Sequence, residues 1–287
     1  MWDFNHPPRA AELASRYELH ATTPALCADE LLSGRADLGL IPIASLTPDL
    51  AIVPGCAIAS LDRVRSIQLI IKLNSLGGKE EPTDDTDLPF VDRTLRSVRT
   101  VAADTASRSS LIYAELLFRK FLDHEPEFLP ALADPIAMLA HADAALLIGD
   151  PALLALEARE QIEASAGPCL WLDLAHQWHL RTGLPWVAAV WAARPQSLTR
   201  PSLSSAELIR DLQLSRDHGL SNIESLVTEW SPRIALPPAT IRRYLTRNIH
   251  YTLDDDCITA IRHLRALAAE ADLLPPLDTL NCLESTG

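Results

Sequence analysis

Apolar segments of strand length alternate with helical segments in two stretches of the chain, and this alternation restricts the fold more than any other feature. In the first stretch, the helical segment 24–33 ends before Gly34 and is followed by the apolar segment 36–43. The second stretch contains five segments in order, at residues 98–103, 111–122, 127–129, 135–140 and 144–148. This order is typical of an open α/β sheet. We therefore expect an α/β fold.

Charge and hydropathy exclude several functional classes. The longest apolar runs, 185–193 and 144–148, are far shorter than the roughly 20 residues that cross a bilayer, so we expect no membrane span. The first eight residues have neither the basic nor the apolar part of an export signal, which favours a cytoplasmic protein. The net charge of −13, without a Lys/Arg stripe, argues against nucleic acid as a partner.

Neither cysteines nor histidines show a metal-binding spacing. The five cysteines are scattered without a C-x-x-C pair, which argues against a disulfide framework and a zinc site. His176 and His179 are three residues apart, but only Asp173 is a nearby third ligand. We therefore expect no metal.

A serine-rich turn is the first candidate binding element. Residues 104–110 read DTASRSS and join the apolar segment 98–103 to the helical segment 111–122. Hydroxyl side chains at a strand-to-helix junction lie beside backbone N–H groups without helical partners, and together they can bind an anion. Ser107, Ser109 and Ser110 are the candidates, although serine at this position also serves as an ordinary helix cap.

Two further elements complete the candidate site. Gly149 and Asp150 follow the apolar segment 144–148, with Asp150 suited to cap the next helix and Pro151 to its first position. Ser66 stands near the start of the apolar strand 65–73. Ligands of open α/β sheets bind outside the carboxyl ends of strands, so the two turns would face one crevice. This pattern does not distinguish a binding protein from an enzyme.

The remaining segments have simpler interpretations. Residues 18–22 are predicted to form a short strand, and 74–89 a solvated surface loop. From residue 204 onward the chain is helical, with capping-box spacing at Ser204/Glu207 and Ser221/Glu224.

Several motifs together resemble one family, the chorismate dehydratases of the futalosine route to menaquinone. They are GRADLGLIP at 34–42, DTASRSS at 104–110, DAALLIGD at 143–150, DLAHQW at 173–178 and TGLPWVAAVWA at 182–192. The likeness runs in order from Trp2 to Leu273. It implies a two-lobed, type II periplasmic-binding-protein-like fold with a ligand cleft between the lobes. Lobe 1 would comprise residues 1–92 and the return segment 189–287, and lobe 2 residues 93–188.

The resemblance also implies an activity. Such an enzyme removes water from chorismate, a small dicarboxylate, giving 3-[(1-carboxyvinyl)oxy]benzoate without a cofactor. Ser66 aligns with a family serine that lines the cleft, which makes it the candidate catalytic residue. Ser107, Ser109 and Ser110 align with the anion-binding turn, with Gly149 and Asp150 as further substrate-binding candidates, whereas Arg108 would be structural.

One departure from the family pattern keeps alternatives open. Members begin with a strand ending in Leu-Asn, whose Asn is implicated in catalysis, and this sequence starts after that position. We interpret Met1 as an internal methionine of a longer chain, with Asn5 a poor substitute for the family residue. The alternatives are the sister enzyme that forms 1,4-dihydroxy-6-naphthoate, and a non-catalytic protein that binds a small carboxylate.

Overall fold

A computed structural model describes residues 1–73, 85–104, 108–199 and 204–284. The chain divides into two compact units. Unit 1 comprises Met1–Ala59, Val187–Arg262 and Pro276–Gly287, and unit 2 comprises Ser60–Trp186 and His263–Pro275. Among the described residues, no helix has both the length and the apolar composition needed to cross a membrane.

Both units combine helices with a sheet, as the sequence predicts. The strands are β1 (Leu38–Pro42), β2 (Ala51–Ser60), β3 (Ile67–Lys72), β4 (Thr100–Asp104), β5 (Glu127–Ala131), β6 (Ala144–Ile148), β7 (Cys169–Asp173), β8 (Trp186–Ala193) and β9 (Asn281–Cys282). The helices are α1 (Trp2–Asn5), α2 (Ala10–Ala14), α3 (Pro24–Leu32), α4 (Leu88–Ser97), α5 (Arg108–Leu122), α6 (Pro135–His141), α7 (Asp150–Glu157), α8 (Arg159–Ala166), α9 (Leu174–Thr182), α10 (Ser205–Ser221), α11 (Ile223–Ile234), α12 (Pro238–Arg243) and α13 (Asp255–Glu270).

The sheet of unit 1 has the strand order β1-β8-β2-β9. Its strand β8 pairs antiparallel with β1, and β9 adds a short parallel edge to β2. One apolar cluster of this unit joins α1, α2 and α10 to β2, through Phe4, Leu13, Val53 and Leu212. Burial of these side chains fixes α10 against the sheet because each removes apolar surface from water.

A buried charge network ties the N-terminal segment to α10. The Arg9 guanidinium donates to Asp3 (2.9 Å) and to Asp211 (2.7 Å). Asp211, which is fully buried, also accepts a hydrogen bond from Tyr17 Oη (3.0 Å) and forms an ion pair with Arg16 (2.9 Å). The bond to Asp211 raises the pKa of Arg9 above its usual value. Each buried carboxylate therefore has a cationic partner, which offsets its loss of hydration.

The sheet of unit 2 has the strand order β5-β4-β6-β3-β7. Strand β3, whose apolar sequence predicts a central position, lies between β6 and β7 and pairs antiparallel with both. One apolar cluster on this sheet includes Ile70 of β3, Leu147 of β6 and Trp171 of β7, and α6, α7 and α8 contribute to it.

The unit boundary at residues 59 and 60 differs from the predicted lobe boundary after residue 92. The reason is the pairing of β3, which joins it to two strands of unit 2. The sequence shows that β3 is apolar, but not which strands it pairs with.

Outside the candidate site, three local predictions are wrong. Residues 18–22 form no strand. Helix α4 begins within the predicted loop 74–89, capped by Asp87, while residues 74–84 lie outside the described part of the chain. Ser221 does not cap a helix, because α10 continues through it and α11 begins after Asn222. By contrast, the capping box of Ser204 and Glu207 is present.

Candidate functional site

The candidate site lies along one edge of the unit 2 sheet. Strands β4 and β6 are parallel, and β3 is antiparallel to both β6 and β7. The carboxyl ends of β4, β6 and β7 therefore lie at the same edge as the start of β3. In open α/β sheets this edge is where ligands bind. The ends of four strands, β3, β4, β6 and β7, therefore lie along one edge of the sheet, where a ligand could contact them.

Ser66 and Gly149 are neighbours at this edge. Ile67 pairs with Ile148, and one residue further the Gly149 N–H donates to the Ser66 carbonyl oxygen (2.7 Å). Ser66 is buried, which limits its movement. Because the Gly149 amide is used in this bond, its N–H cannot also bind an anion.

The described serines of the predicted turn lie within a helix rather than before it. Helix α5 begins at Arg108, so Ser109 and Ser110 belong to its first turn, and both are fully buried. Backbone N–H groups of a first helical turn have no carbonyl partner within the helix and carry positive partial charge. This helix follows β4, which pairs with β6, so its N-terminus lies beside the strand that ends at Ile148. Ser107 lies outside the described residues.

Asp150 does not cap α7 as predicted. The helix begins at Asp150 itself, and the cap position belongs to Gly149, whose φ of +70° suits glycine. The exposed Asp150 carboxylate lies in the first turn, where it complements the positive end of the helix. It would therefore repel a carboxylate bound near this helix.

Asp173 organises the segment that precedes Ser66. Its carboxylate accepts hydrogen bonds from the N–H groups of Val64 (3.3 Å) and Arg65 (2.6 Å), and from those of Ala175 (3.0 Å) and His176 (3.3 Å) in α9. Burial raises the pKa of this carboxyl above its ordinary value, although the N–H groups oppose the shift. Asp173 thus fixes both the chain leading into β3 and the start of α9.

His176, which the sequence suggests only as a weak metal-ligand candidate, is a further candidate for the functional site. Its Nδ1 hydrogen-bonds to the carboxylate of Asp62, while its buried Nε2 has no hydrogen-bond partner among the described residues. A buried polar atom without a partner costs about 1–3 kcal/mol, so this nitrogen is a candidate to bind a ligand. His179, by contrast, contacts the Leu184 carbonyl oxygen (3.4 Å). Asp62 lies 114 residues from His176, so no local sequence pattern reveals the pair.

A cavity of about 440 Å³ lies beside β7, and Arg65 and Asp173 are among the residues that line it. Two of its guanidinium groups have acidic partners: Arg63 donates to Asp85 (2.8 Å) and Arg159 to Glu163 (2.9 Å). These ion pairs reduce the positive charge available to an anionic ligand. The edge that carries Ser66 therefore remains the stronger candidate.

Residues 2–270 match the family model described as menaquinone biosynthesis. The chain belongs to this menaquinone biosynthesis family. The resemblance recognised in the sequence motifs is thereby confirmed for the family. A curated relative, the chorismate dehydratase of Thermus thermophilus, is 27% identical over 248 residues, which is 83% of this chain and 81% of the relative.

Solved structures support the fold of this family member. A crystal structure of an Archaeoglobus fulgidus protein aligns with a TM-score of 0.62 at 16% identity, covering 95% of this chain and 94% of the other. The periplasmic aliphatic sulphonate binding protein SsuA of Escherichia coli aligns with a TM-score of 0.60 at 15% identity, covering 97% of this chain and 89% of the other. A Candida albicans protein described as having the generic periplasmic binding protein fold aligns with a TM-score of 0.58 at 11% identity, covering 92% of this chain and 86% of the other. The predicted periplasmic-binding-protein-like α/β fold is confirmed.

Proposed function

We propose that this protein is a chorismate dehydratase, a hydro-lyase that converts chorismate to 3-[(1-carboxyvinyl)oxy]benzoate and water in menaquinone biosynthesis by the futalosine pathway. Membership of the menaquinone biosynthesis family and the Thermus thermophilus relative support the proposal. The observation that carries it is the sheet edge of unit 2, where Ser66 and Gly149 are hydrogen-bonded neighbours and where β4, the strand that precedes α5, also ends. We include a cytoplasmic location, because five free cysteines are typical of a reducing compartment.

The first task of such a site is to hold a dianion. Helix α5 would contribute N–H groups of its first turn together with Ser109 and Ser110, and Ser107 directly precedes the helix in the sequence. A helix N-terminus favours a carboxylate by roughly 0.3–1 kcal/mol, and more where the site is partly buried. Ser66 and Gly149 would border the ring, and Asp150 would accept a hydrogen bond from the ring hydroxyl rather than contact a carboxylate.

The second task is to move one proton. In the elimination, a ring C–H bond breaks and its electron pair forms the new ring double bond, while the C–O bond breaks and releases hydroxide. The proton then joins the hydroxide to form water, and the ring becomes aromatic. No electron is gained from or lost to another molecule, so the proposal includes no cofactor and no metal.

His176 is the residue that we propose for this transfer. The Asp62 carboxylate at Nδ1 orients the ring, leaving Nε2 to accept the proton and return it to the leaving hydroxide. A ligand that reaches Nε2 would also supply the hydrogen bond that this atom does not receive from the described residues. Ser66 would act as a hydrogen-bond donor to the substrate.

Incubation with chorismate tests the function, with the ultraviolet spectrum and the product mass as readouts. We expect a product lighter than chorismate by one water. Saturable chorismate binding without turnover would favour the carboxylate-binding protein. Turnover of the cyclic futalosine derivative instead would favour the sister enzyme, and either result would overturn the proposal.

Paired variants test the residues. His176→Gln should lower kcat by about 10²–10⁴-fold, the range for loss of general acid–base catalysis, with little change in KM. His179→Gln, on the same helix, is the matched control and should retain kcat. Ser66→Ala should lower kcat/KM. Equal activity of the two histidine variants would contradict the role of His176.

A further inference from the structure

Three side chains of different chemistry converge at the start of α13 in unit 1. They are His250, Asp254 and Cys257, and one ligand atom from each lies within 4.8 Å of the other two. The His250 Nε2 atom is 2.7 Å from Asp254 Oδ2, and the Cys257 N–H donates to Asp254 Oδ1 (2.9 Å). The cluster therefore offers an imidazole nitrogen, a carboxylate oxygen and a sulfur within an eight-residue segment.

The backbone holds these three residues in place without any ion. His250 pairs with Ala59 of β2 through two hydrogen bonds, one from the His250 N–H (2.7 Å) and one to its carbonyl oxygen (2.9 Å). Cys257 is fully buried in the first turns of α13. A site fixed at both ends loses little conformational entropy when it binds an ion.

The cluster is also accessible. The His250 and Asp254 side chains keep 24% and 40% of their surface exposed, so an ion can approach from the solvent side. Cys257 lies at the closed end, where it would become the inner ligand.

The donor set determines which ion fits. Zinc takes nitrogen, sulfur and carboxylate oxygen in tetrahedral sites, with bonds of about 2.0–2.3 Å, so neighbouring ligand atoms lie roughly 3–4 Å apart. The atoms of the cluster already lie within 4.8 Å, so small side-chain shifts would complete such a geometry. Calcium and magnesium prefer all-oxygen ligands, which makes them poor candidates.

Helix capping explains only part of this arrangement. Asp254 alone caps α13 through the Cys257 N–H, and capping requires neither the imidazole nor the thiol. We propose that His250, Asp254 and Cys257 form a binding site for a zinc-class divalent transition metal, with one coordination position open to solvent. The proposal does not depend on the proposed enzymatic function.

Cobalt(II) titration of the untagged, metal-free full chain tests the site, because cobalt replaces zinc and gives visible bands. We expect one equivalent of cobalt to produce tetrahedral d–d bands and a near-ultraviolet sulfur-to-cobalt charge-transfer band, and zinc to abolish both. Cys257→Ser should remove the charge-transfer band. His250→Gln should weaken cobalt binding by about tenfold or more.

Cys282→Ser is the matched control, because Cys282 is exposed and outside the cluster. Its cobalt spectrum should equal that of the unmodified protein. The proposal is overturned if the folded protein shows no charge-transfer band, or if Cys282→Ser removes the band. If Cys257→Ser does not fold, the His250→Gln variant provides the test. Unchanged cobalt affinity in that variant would also overturn the proposal.

Discussion

Replacement of Asp211 by asparagine should destabilise unit 1 strongly. Asp211 is fully buried and interacts with Arg9 (2.7 Å), Arg16 (2.9 Å) and Tyr17 (3.0 Å). Hydrogen bonds with charged partners contribute roughly 1.5–3 kcal/mol each, and the two guanidinium groups account for most of the loss. The arginine side chains are each 18% exposed and asparagine keeps one acceptor oxygen, so part of this energy is recovered. We expect the free energy of unfolding to fall by about 2–4 kcal/mol.

Urea denaturation followed by circular dichroism measures this change, and hydrogen exchange with mass spectrometry locates it. Amide protection should fall first at the start and end of α2, because the Asp211 partners Arg9, Arg16 and Tyr17 flank that helix. Asp217→Asn is the matched control on the same helix: its side chain is 55% exposed and pairs with the adjacent Arg216, so we expect a change below about 0.5 kcal/mol. Equal stability of the two variants would refute the argument that the buried network holds the N-terminal segment.

Three further predictions concern single positions. Ser204→Ala removes the capping box with Glu207 and should lower stability by about 1 kcal/mol in thermal melts; an unchanged melting temperature would contradict the capping role. An alanine Cβ at Gly149 would meet no atom of the described residues within 4 Å, so the cost of Gly149→Ala should come from the backbone alone (φ +70°, ψ −141°), roughly 1–3 kcal/mol by denaturation; a larger loss would indicate a clash. Iodoacetamide at pH 8 should label exposed Cys282 before Cys169, because burial raises the pKa of the Cys169 thiol to about 11 and leaves roughly one Cys169 thiol in a thousand ionised. Peptide mass spectrometry measures the order of labelling, and earlier labelling of Cys169 would contradict this prediction.

Features set by neighbouring residues were predictable from the sequence. The Ser204 capping box depends on residues three apart, and the alternation of apolar and helical segments reveals the α/β class. The same rule fails at Ser221 because α10 extends through it, and a continuing helix leaves no cap position there. A local pattern therefore predicts a helix end only where no neighbouring helix competes for the residue.

Contacts between distant residues were not predictable in this way. The Asp62–His176 pair joins positions 114 residues apart, and β3 belongs to unit 2 through pairing with β6 and β7. Neither contact leaves a periodic signal in the sequence. The strand ends carrying Ser66 and Gly149 could be proposed as site elements, but their direct hydrogen bond required the register of the sheet.

The strand order of unit 1 has a consequence for biosynthesis. Strand β8 lies between β1 and β2, so these two early strands have no sheet contact with each other. During synthesis, β1 and β2 cannot pair with β8 until residue 193 has left the ribosome. Residues 60–186 of unit 2 are already available for folding at that point. The segment that precedes unit 2 thus completes its sheet only after 60–186 has been made, and chaperone protection of β1 and β2 would matter most during that interval.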